Sequence, residues 1–203
     1  MSVATKHIAF VAARLEHDMK RICVFTGSRP GLRPEYAHAV ASLGRELVSR
    51  DIELVYGGAH TGLMGVLADA TLEAGGHVIG VIPKALLEKE KAHQGLRDLR
   101  VVNTMHERKA LMAALSDGFI AAPGGMGTLD ELFEMLTWSQ LGLHEKPCGL
   151  LNTIHYYEFL LQFLQRSVEE KLIPHHHSDM IIAEEDAGIM LDRFLRCLTP
   201  RMD

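Results

Sequence analysis

The sequence is poor in the features that mark secreted, membrane and nucleic-acid-binding proteins. Only three of its 203 residues are cysteines, and Cys23, Cys148 and Cys197 lie far apart, so neither a disulfide framework nor a zinc site is predicted. No apolar run approaches the roughly 18 residues of a membrane helix. The formal net charge is −5, which leaves no basic stripe for duplex nucleic acid. We therefore expect a cytoplasmic protein without a membrane or nucleic-acid partner.

Several common motifs are also absent. No G-x-G-x-x-G opens the first helix, and there is no G-x-x-x-x-G-K-[ST], G-x-S-x-G or H-E-x-x-H. The sequence thus predicts no dinucleotide cofactor, no triphosphate loop, no serine-hydrolase elbow and no zinc helix. His175, His176 and His177 follow Pro174 and are expected in an exposed loop, because adjacent histidines cannot all face one ion. We expect neither a cofactor nor a metal.

What the sequence does contain is a regular alternation of strand and helix signals. Strands are predicted at 21–25, 52–56, 77–82, 100–102, 119–122 and 147–151. Helices are predicted at 34–50, 107–115, 129–141, 156–171 and 188–198, and a further helix follows the second glycine turn and ends at about residue 74. Such alternation predicts an α/β, three-layer Rossmann-like fold with a doubly wound parallel sheet. We expect one catalytic domain over residues 20–203, preceded by an N-terminal extension, residues 1–19, to which no function is assigned.

Glycine-rich turns follow three of these strands. They lie at Gly27-Ser28, at residues 57–65 and at residues 124–127. Because ligands of doubly wound sheets bind at the carboxyl ends of the strands, we expect the three turns on one rim. Each turn alone is a weak signal, but together they indicate a nucleotide or sugar-phosphate site.

The third turn carries the most specific pattern. Phe119 to Ala122 is an apolar run that Pro123 ends, and the glycines that follow allow consecutive N–H groups to face one anion at a helix N-terminus. Glu131 adds a carboxylate one turn further on. An alternative structural interpretation also fits, because Thr128-Leu-Asp-Glu131 matches a capping box in which Thr128 starts the helix.

Two segments then identify a family resemblance. Met105-His-Glu-Arg-Lys109, followed by Pro123-Gly-Gly-Met-Gly-Thr-Leu-Asp-Glu131, resembles the LONELY GUY (LOG) family of cytokinin riboside 5′-monophosphate phosphoribohydrolases. The resemblance covers roughly residues 20–175. It includes Cys-Val-Phe-Thr-Gly-Ser at 23–28, Gly-Leu-Met-Gly at 62–65 and Trp138.

The resemblance implies hydrolysis of an N-glycosidic bond, with free base and ribose 5-phosphate as products. By matching positions, Arg108 and Glu131 form the catalytic pair and Gly125 to Thr128 hold the phosphate. Further substrate contacts are expected from Glu90, Lys109 and Thr137, and from Gly27, Ser28, Gly57, Gly58, Met105, Gly124 and Met126. Family members are commonly dimers, so a homodimer with its site near the subunit interface is expected.

Three hypotheses for function remain open. The first is a cytokinin-type phosphoribohydrolase, and the second a nucleosidase for AMP or other purine nucleoside monophosphates. The third is a non-catalytic carrier of a phosphate ligand or molybdenum cofactor. Arg108 with Glu131 favours the enzymes, although Arg108 could instead be a surface arginine paired with a nearby glutamate. Lys109 is not predicted to form a Schiff base with pyridoxal phosphate, since no other feature supports such a site.

Overall fold

A seven-stranded sheet organises the chain in the computed structural model, which describes residues 19–87, 91–175 and 180–198. The strands are β1 (Arg21–Phe25), β2 (Glu53–Tyr56), β3 (Val78–Pro83), β4 (Asp98–Val102), β5 (Gly118–Ala121), β6 (Cys148–Leu151) and β7 (Ile181–Glu184). The helices are α1 (Pro34–Ser49), α2 (Gly62–Glu73), α3 (Met105–Leu115), α4 (Met126–Gln140), α5 (Glu158–Glu169) and α6 (Ala187–Leu198). None of these described helices is both long and apolar enough to span a membrane.

The strand order is β4-β3-β2-β1-β5-β6-β7, and every neighbouring pair is parallel. The first four strands extend the sheet in one direction from β1, and the last three extend it in the other direction from β5. The switch point therefore lies between β1 and β5, whose register pairs Ile22 with Gly118 and Phe25 with Ala121. The predicted doubly wound parallel sheet is confirmed, and its ligand crevice is expected at the carboxyl ends of these two strands.

Helices cover both faces of the sheet, which explains why its strands are apolar without alternation. In β1, Ile22 and Val24 belong to the core cluster beneath α1, α2 and α6. Cys23 and Phe25 belong to the opposite cluster, beneath α3, α4 and α5. The three predicted layers follow from this arrangement.

The boundaries of the elements agree with the sequence prediction in most places. The first strand has the predicted bounds, whereas α4 begins at Met126 rather than Leu129 and α5 covers less than the predicted 156–171. The strand β7 was not predicted. It is a four-residue edge strand in which only Ile182 is buried, so its sequence carries little of the apolar signal of a central strand.

Candidate active site

A cavity of about 600 Å³ opens at the carboxyl ends of β1 and β5, where the switch point lies. The turns after these two strands form much of its wall, and the first turn of α4 lies along one side. It is lined by Thr26, Gly27, Ser28, Arg29, Gly31, Tyr36, Leu63, Met64, Arg108, Pro123, Gly124, Gly125, Met126, Gly127, Thr128, Glu131 and Tyr156. Its volume is in the usual range for a small-molecule site.

The N-terminus of α4 faces this cavity. Gly125 is the cap residue, with extended backbone (φ −103°, ψ −150°) and no side-chain cap. The first hydrogen bond within the helix joins the Leu129 amide to the Gly125 carbonyl at 3.1 Å. The preceding amides of the first turn have no partner within the helix, and Met126, Gly127 and Thr128 line the cavity. These N–H groups and the helix dipole favour an anion.

The alternative interpretation of Thr128 and Glu131 as a capping box is wrong. Because the extended Gly125 starts α4 early, Thr128 is already inside the helix, buried, and in a position where a Cβ on Gly124 would collide with it. The same Thr-x-x-Glu pattern does form a cap on α3. There the Glu107 amide donates to Thr104 Oγ1 at 3.0 Å, and the Glu107 carboxylate accepts from the Asn103 amide at 2.8 Å.

Arg108 of α3 and Glu131 of α4 meet at the cavity wall. Arg108 Nη1 lies 3.2 Å from Glu131 Oε1, and the two side chains are only 7% and 9% exposed. The Arg108 Nε–H also donates to the Val81 carbonyl at 3.1 Å, which fixes the orientation of the guanidinium. The alternative of a surface arginine is therefore wrong, because this is a buried ion pair with one side toward the cavity.

The thiol of Cys23 lies beneath this pair. Burial raises the pKa of Cys23 well above its usual value, the negative charge of Glu131 raises it further, and the positive charge of Arg108 lowers it. The thiol is therefore neutral at physiological pH and is a poor nucleophile. Cys23 belongs to the core beneath the site and supplies no charge to it.

The turn after β2 supports Arg108 from behind. A Cβ on Gly57 would collide with Arg108 Nη2, and Gly58 adopts φ +76° with its Cα packed between β3 and Leu99. Neither glycine lines the cavity. Both were predicted as substrate contacts; in the structure Gly57 packs against Arg108, and Gly58 packs against β3 and Leu99.

The turn after β1 is fastened to the turn after β5. The Gly27 amide donates to the Pro123 carbonyl at 3.1 Å, and the Gly27 carbonyl accepts from the Leu63 amide at 3.0 Å. Gly62, with φ +59°, allows α2 to approach this turn, since a Cβ there would collide with the backbone of Ser28. Gly27 and Ser28, which were both predicted as substrate contacts, line the cavity.

Three further predicted contacts that the structure describes lie outside the cavity lining: Lys109, Met105 and Thr137. Lys109 Nζ lies between Asp130 at 3.1 Å and Glu134 at 2.9 Å, outside the cavity lining. The hydrogen bond to Glu134 raises the Lys109 pKa, whereas a Schiff-base lysine needs a lowered one. Met105 is 41% exposed at the start of α3. Thr137 lines a separate cleft of about 310 Å³ between α4 and α5, and Glu90 lies outside the described residues.

The cavity residues that sequence reasoning did not assign to the site include one arginine and two tyrosines: Arg29, Tyr36 and Tyr156. Arg29 directly follows the first glycine turn, so its position on the rim could have been recognised. The two tyrosines come from distant segments and pack edge to face, with ring centroids 5.3 Å apart. No local pattern in the sequence brings them together.

A second polar cluster lies outside the cavity lining. His60, Asp69 and His93 place possible metal-ligand atoms within 4.8 Å of one another. The Gly95 amide, however, donates to His93 Nδ1 at 3.1 Å, so the ring proton is on Nε2, which donates to Asp69 Oδ1 at 2.9 Å. A metal on Nε2 would require a proton on Nδ1, facing the Gly95 N–H. The hydrogen bonds thus describe an anchor of the loop before β4 to α2.

Comparison with known proteins gives consistent matches. A family model described as possible lysine decarboxylase matches residues 64–194. The probable cytokinin riboside 5′-monophosphate phosphoribohydrolase LOGL9 of Oryza sativa subsp. japonica is 50% identical over 174 residues, covering 86% of this chain and 77% of that protein. The cytokinin riboside 5′-monophosphate phosphoribohydrolase LOG1 of Arabidopsis thaliana is 50% identical over 173 residues, covering 85% and 81%.

Solved structures of low sequence identity share the fold. The molybdenum cofactor carrier protein of Chlamydomonas reinhardtii superposes with a TM-score of 0.67 at 20% identity, covering 88% of this chain and 99% of that chain. The molybdenum cofactor binding protein of Rippkaea orientalis gives the same TM-score and identity, with coverage of 91% and 100%. At this identity the likeness concerns the fold alone, so it does not favour a carrier function.

Proposed function

The chain belongs to the family of cytokinin riboside 5′-monophosphate phosphoribohydrolases, and on that premise we propose that it hydrolyses N6-modified adenosine riboside 5′-monophosphates. The products are the free base and ribose 5-phosphate. One observation carries the proposal: a buried arginine–glutamate pair, Arg108 with Glu131, borders the same cavity as an open helix N-terminus. The cavity thus offers an anion site and a carboxylate to one ligand.

The proposed reaction breaks the bond between C1′ and the base nitrogen. The ribose passes through an oxocarbenium-like state, as in glycoside hydrolysis generally, and water then gives its hydroxyl to C1′ and its proton to the departing base. Glu131, paired with the Arg108 guanidinium, stabilises the positive charge on the sugar or accepts the proton of the attacking water. The fixed guanidinium of Arg108 also contacts substrate oxygens on the cavity side.

The 5′-phosphate is proposed to bind at the first turn of α4. Gly125, Gly127 and Thr128 line the cavity there, and Arg29 adds a positive charge from the opposite turn. Glu131 lies about one helical turn further on, at a distance suited to the ribose of the same nucleotide. Anchoring the phosphate in this way orients C1′ relative to the carboxylate.

A substrate panel tests the proposal. We expect the wild-type protein to release ribose 5-phosphate from isopentenyladenosine monophosphate, with a lower rate on AMP and a much lower rate on unphosphorylated isopentenyladenosine. A preference for AMP would instead identify a general purine nucleotide nucleosidase. No release from any of the three would contradict the hydrolase function and direct attention to a carried ligand.

The predicted homodimer is also part of the proposal. Phe159 and Phe163 lie one turn apart on α5 and are 83% and 65% exposed. Leu141, Leu143 and Leu172 are likewise more than two-thirds exposed. A monomer seldom leaves several large apolar side chains in water on one side of the fold. A second copy of the chain would cover them and place Thr137 near the interface.

Sedimentation measures the assembly directly. We expect the wild type to sediment as a dimer and Phe163→Glu as a monomer, because a charge would be buried in the interface. Ile189→Glu is the matched control, since Ile189 is a half-exposed apolar residue on α6. Dimers that persist in Phe163→Glu, or that dissociate in Ile189→Glu, would place the interface elsewhere.

The proposed compartment is the cytoplasm. All three cysteines are free thiols, and two of them, Cys23 and Cys148, are buried in the core. Reduced thiols are usual in that compartment. Fractionation with a tagged full-length chain tests this expectation, and accumulation outside the cytoplasmic fraction would contradict it.

A further inference from the structure

Two adjacent tyrosines donate hydrogen bonds to the loop between β5 and α4. The Tyr157 hydroxyl donates to the Ala122 carbonyl at 2.7 Å, and the Tyr156 hydroxyl donates to the Gly124 carbonyl at 2.6 Å. Tyr157 is buried, whereas Tyr156 is 40% exposed and lines the cavity. The first bond lies at the end of the strand, and the second lies within the glycine turn that precedes α4.

The carbonyl that Tyr156 holds belongs to the peptide between Gly124 and Gly125. In a planar trans peptide the C=O and the N–H point in opposite directions. When the Gly124 oxygen is held toward Tyr156, the Gly125 N–H is therefore directed the other way. Gly125 is the cap residue of α4, and its freedom to rotate is large because a methyl added there would meet no atom within 4 Å.

Tyr156 itself is held in place by an unusual turn. Ile154 and His155 precede it with φ +47° and +60°, in a region that is costly for a β-branched residue. The Asn152 side chain accepts from the Tyr157 amide at 2.7 Å, which stabilises this turn. On the cavity side the Tyr156 ring packs edge to face against Tyr36. The turn holds the backbone of Tyr156 and Tyr36 holds its ring, so the position of the hydroxyl is fixed.

We propose that Tyr156 is a positioning residue for the phosphate site, whose hydroxyl orients the Gly124–Gly125 peptide so that the Gly125 N–H donates to a bound phosphate. The inference rests on the proposed function for the identity of the ligand, a sugar 5′-phosphate. It requires no contact between Tyr156 and the reacting atoms. Its effect therefore concerns phosphate affinity and not the chemical step.

The test compares Tyr156→Phe with Tyr157→Phe. Both changes remove one tyrosyl hydrogen bond to a backbone carbonyl of the same loop and keep the aromatic ring. We expect Tyr156→Phe to weaken ribose 5-phosphate binding, measured by calorimetry, about fivefold to tenfold, which is the usual size of one hydrogen bond. In turnover, KM for the nucleotide rises by a similar factor and kcat changes less than about twofold. Tyr157→Phe lowers Tm but leaves ribose 5-phosphate affinity unchanged.

Two results would overturn the inference. One is wild-type affinity for ribose 5-phosphate in Tyr156→Phe, and the other is an equal loss of affinity in Tyr157→Phe. The binding arm does not depend on turnover. If the wild type binds ribose 5-phosphate but cleaves no nucleotide, the hydrolase function fails while the effect of Tyr156 on phosphate affinity is still measured.

Discussion

Two glycine turns of the rim differ in what their glycines contact. In the turn after β5, Gly124 and Gly125 line the cavity, and a methyl on Gly125 would meet open space. In the turn after β2, Gly57 lies behind Arg108, and a methyl there would collide with the guanidinium. At Gly125 the first turn leaves room for a ligand, whereas at Gly57 the second turn leaves room for a side chain. Glycine clusters at strand ends therefore mark close approach without telling what approaches.

The comparison predicts that two Gly→Ala changes impair different kinetic constants, kcat in one turn and KM in the other. Gly57→Ala should displace the Arg108 guanidinium from Glu131, because the methyl would overlap Nη2. We expect kcat to fall about 100-fold, the usual consequence of misplacing a reactive group by about 1 Å. Ribose 5-phosphate affinity should change little. Steady-state kinetics and calorimetry distinguish this result from a loss of phosphate binding, which would contradict the supporting role of Gly57.

Gly125→Ala should have the complementary effect. The backbone at Gly125 has negative φ, so alanine is tolerated, but the methyl would project into the open space proposed for the phosphate. We expect KM to rise about tenfold through one impaired hydrogen bond to the phosphate, with kcat and Tm nearly unchanged. A lowered kcat with normal KM would show that this turn acts on the chemical step.

The buried thiols lie in the core that supports the cavity, and they predict that the free energy of unfolding falls at high pH. Burial raises the pKa of Cys148 to about 12, so the native state favours the neutral thiol. Stability is therefore complete below the unfolded thiol pKa of about 9 and is lost as pH rises toward 12. At pH 10 the loss is about 1.4 kcal/mol for this one group. Urea unfolding at pH 8 and pH 10 should show it, and Cys148→Ala should show a smaller loss. An equal loss in Cys148→Ala would contradict the assignment.

Lys109 provides the smallest expected effect. Its ammonium group pairs with Asp130 and Glu134 outside the cavity lining. Lys109→Met should therefore change kcat/KM less than about threefold, and it should lower stability by about 1 kcal/mol or less. A loss of more than tenfold in turnover would restore Lys109 as a substrate contact, as the family resemblance implied.

Much of the fold follows from local sequence patterns, because apolar strands and amphipathic helices alternate along the chain. The edge strand β7 could not be predicted from such a pattern. Its four residues pair with β6 and include only one buried side chain. Phe159 and Phe163 show the same limit. Their spacing is that of an apolar helical face, but periodicity cannot tell whether such a face packs on the core or lies at the surface.

The site was predictable where a motif and its position on the sheet agreed. Arg108 and Glu131 are on different helices, yet the resemblance paired them, and the structure brings them within 3.2 Å. The capping-box pattern was ambiguous because Thr-x-x-Glu occurs twice. The extended Gly125 starts α4 early and places Thr128 inside the helix, whereas Thr104 and Glu107 do cap α3. Tyr156 had no local signal, since its contact with Gly124 joins residues 32 positions apart.

The central claim is that Glu131 is the carboxylate that acts on the ribose. The most direct test is single-turnover release of ribose 5-phosphate from isopentenyladenosine monophosphate by Glu131→Gln and by Glu134→Gln. Both residues lie on α4 and pair with a cation, but only Glu131 lines the cavity. We predict a rate at least about 100-fold below wild type for Glu131→Gln, with ribose 5-phosphate binding retained, and a near-normal rate for Glu134→Gln. Equal rates in the two variants would contradict the account.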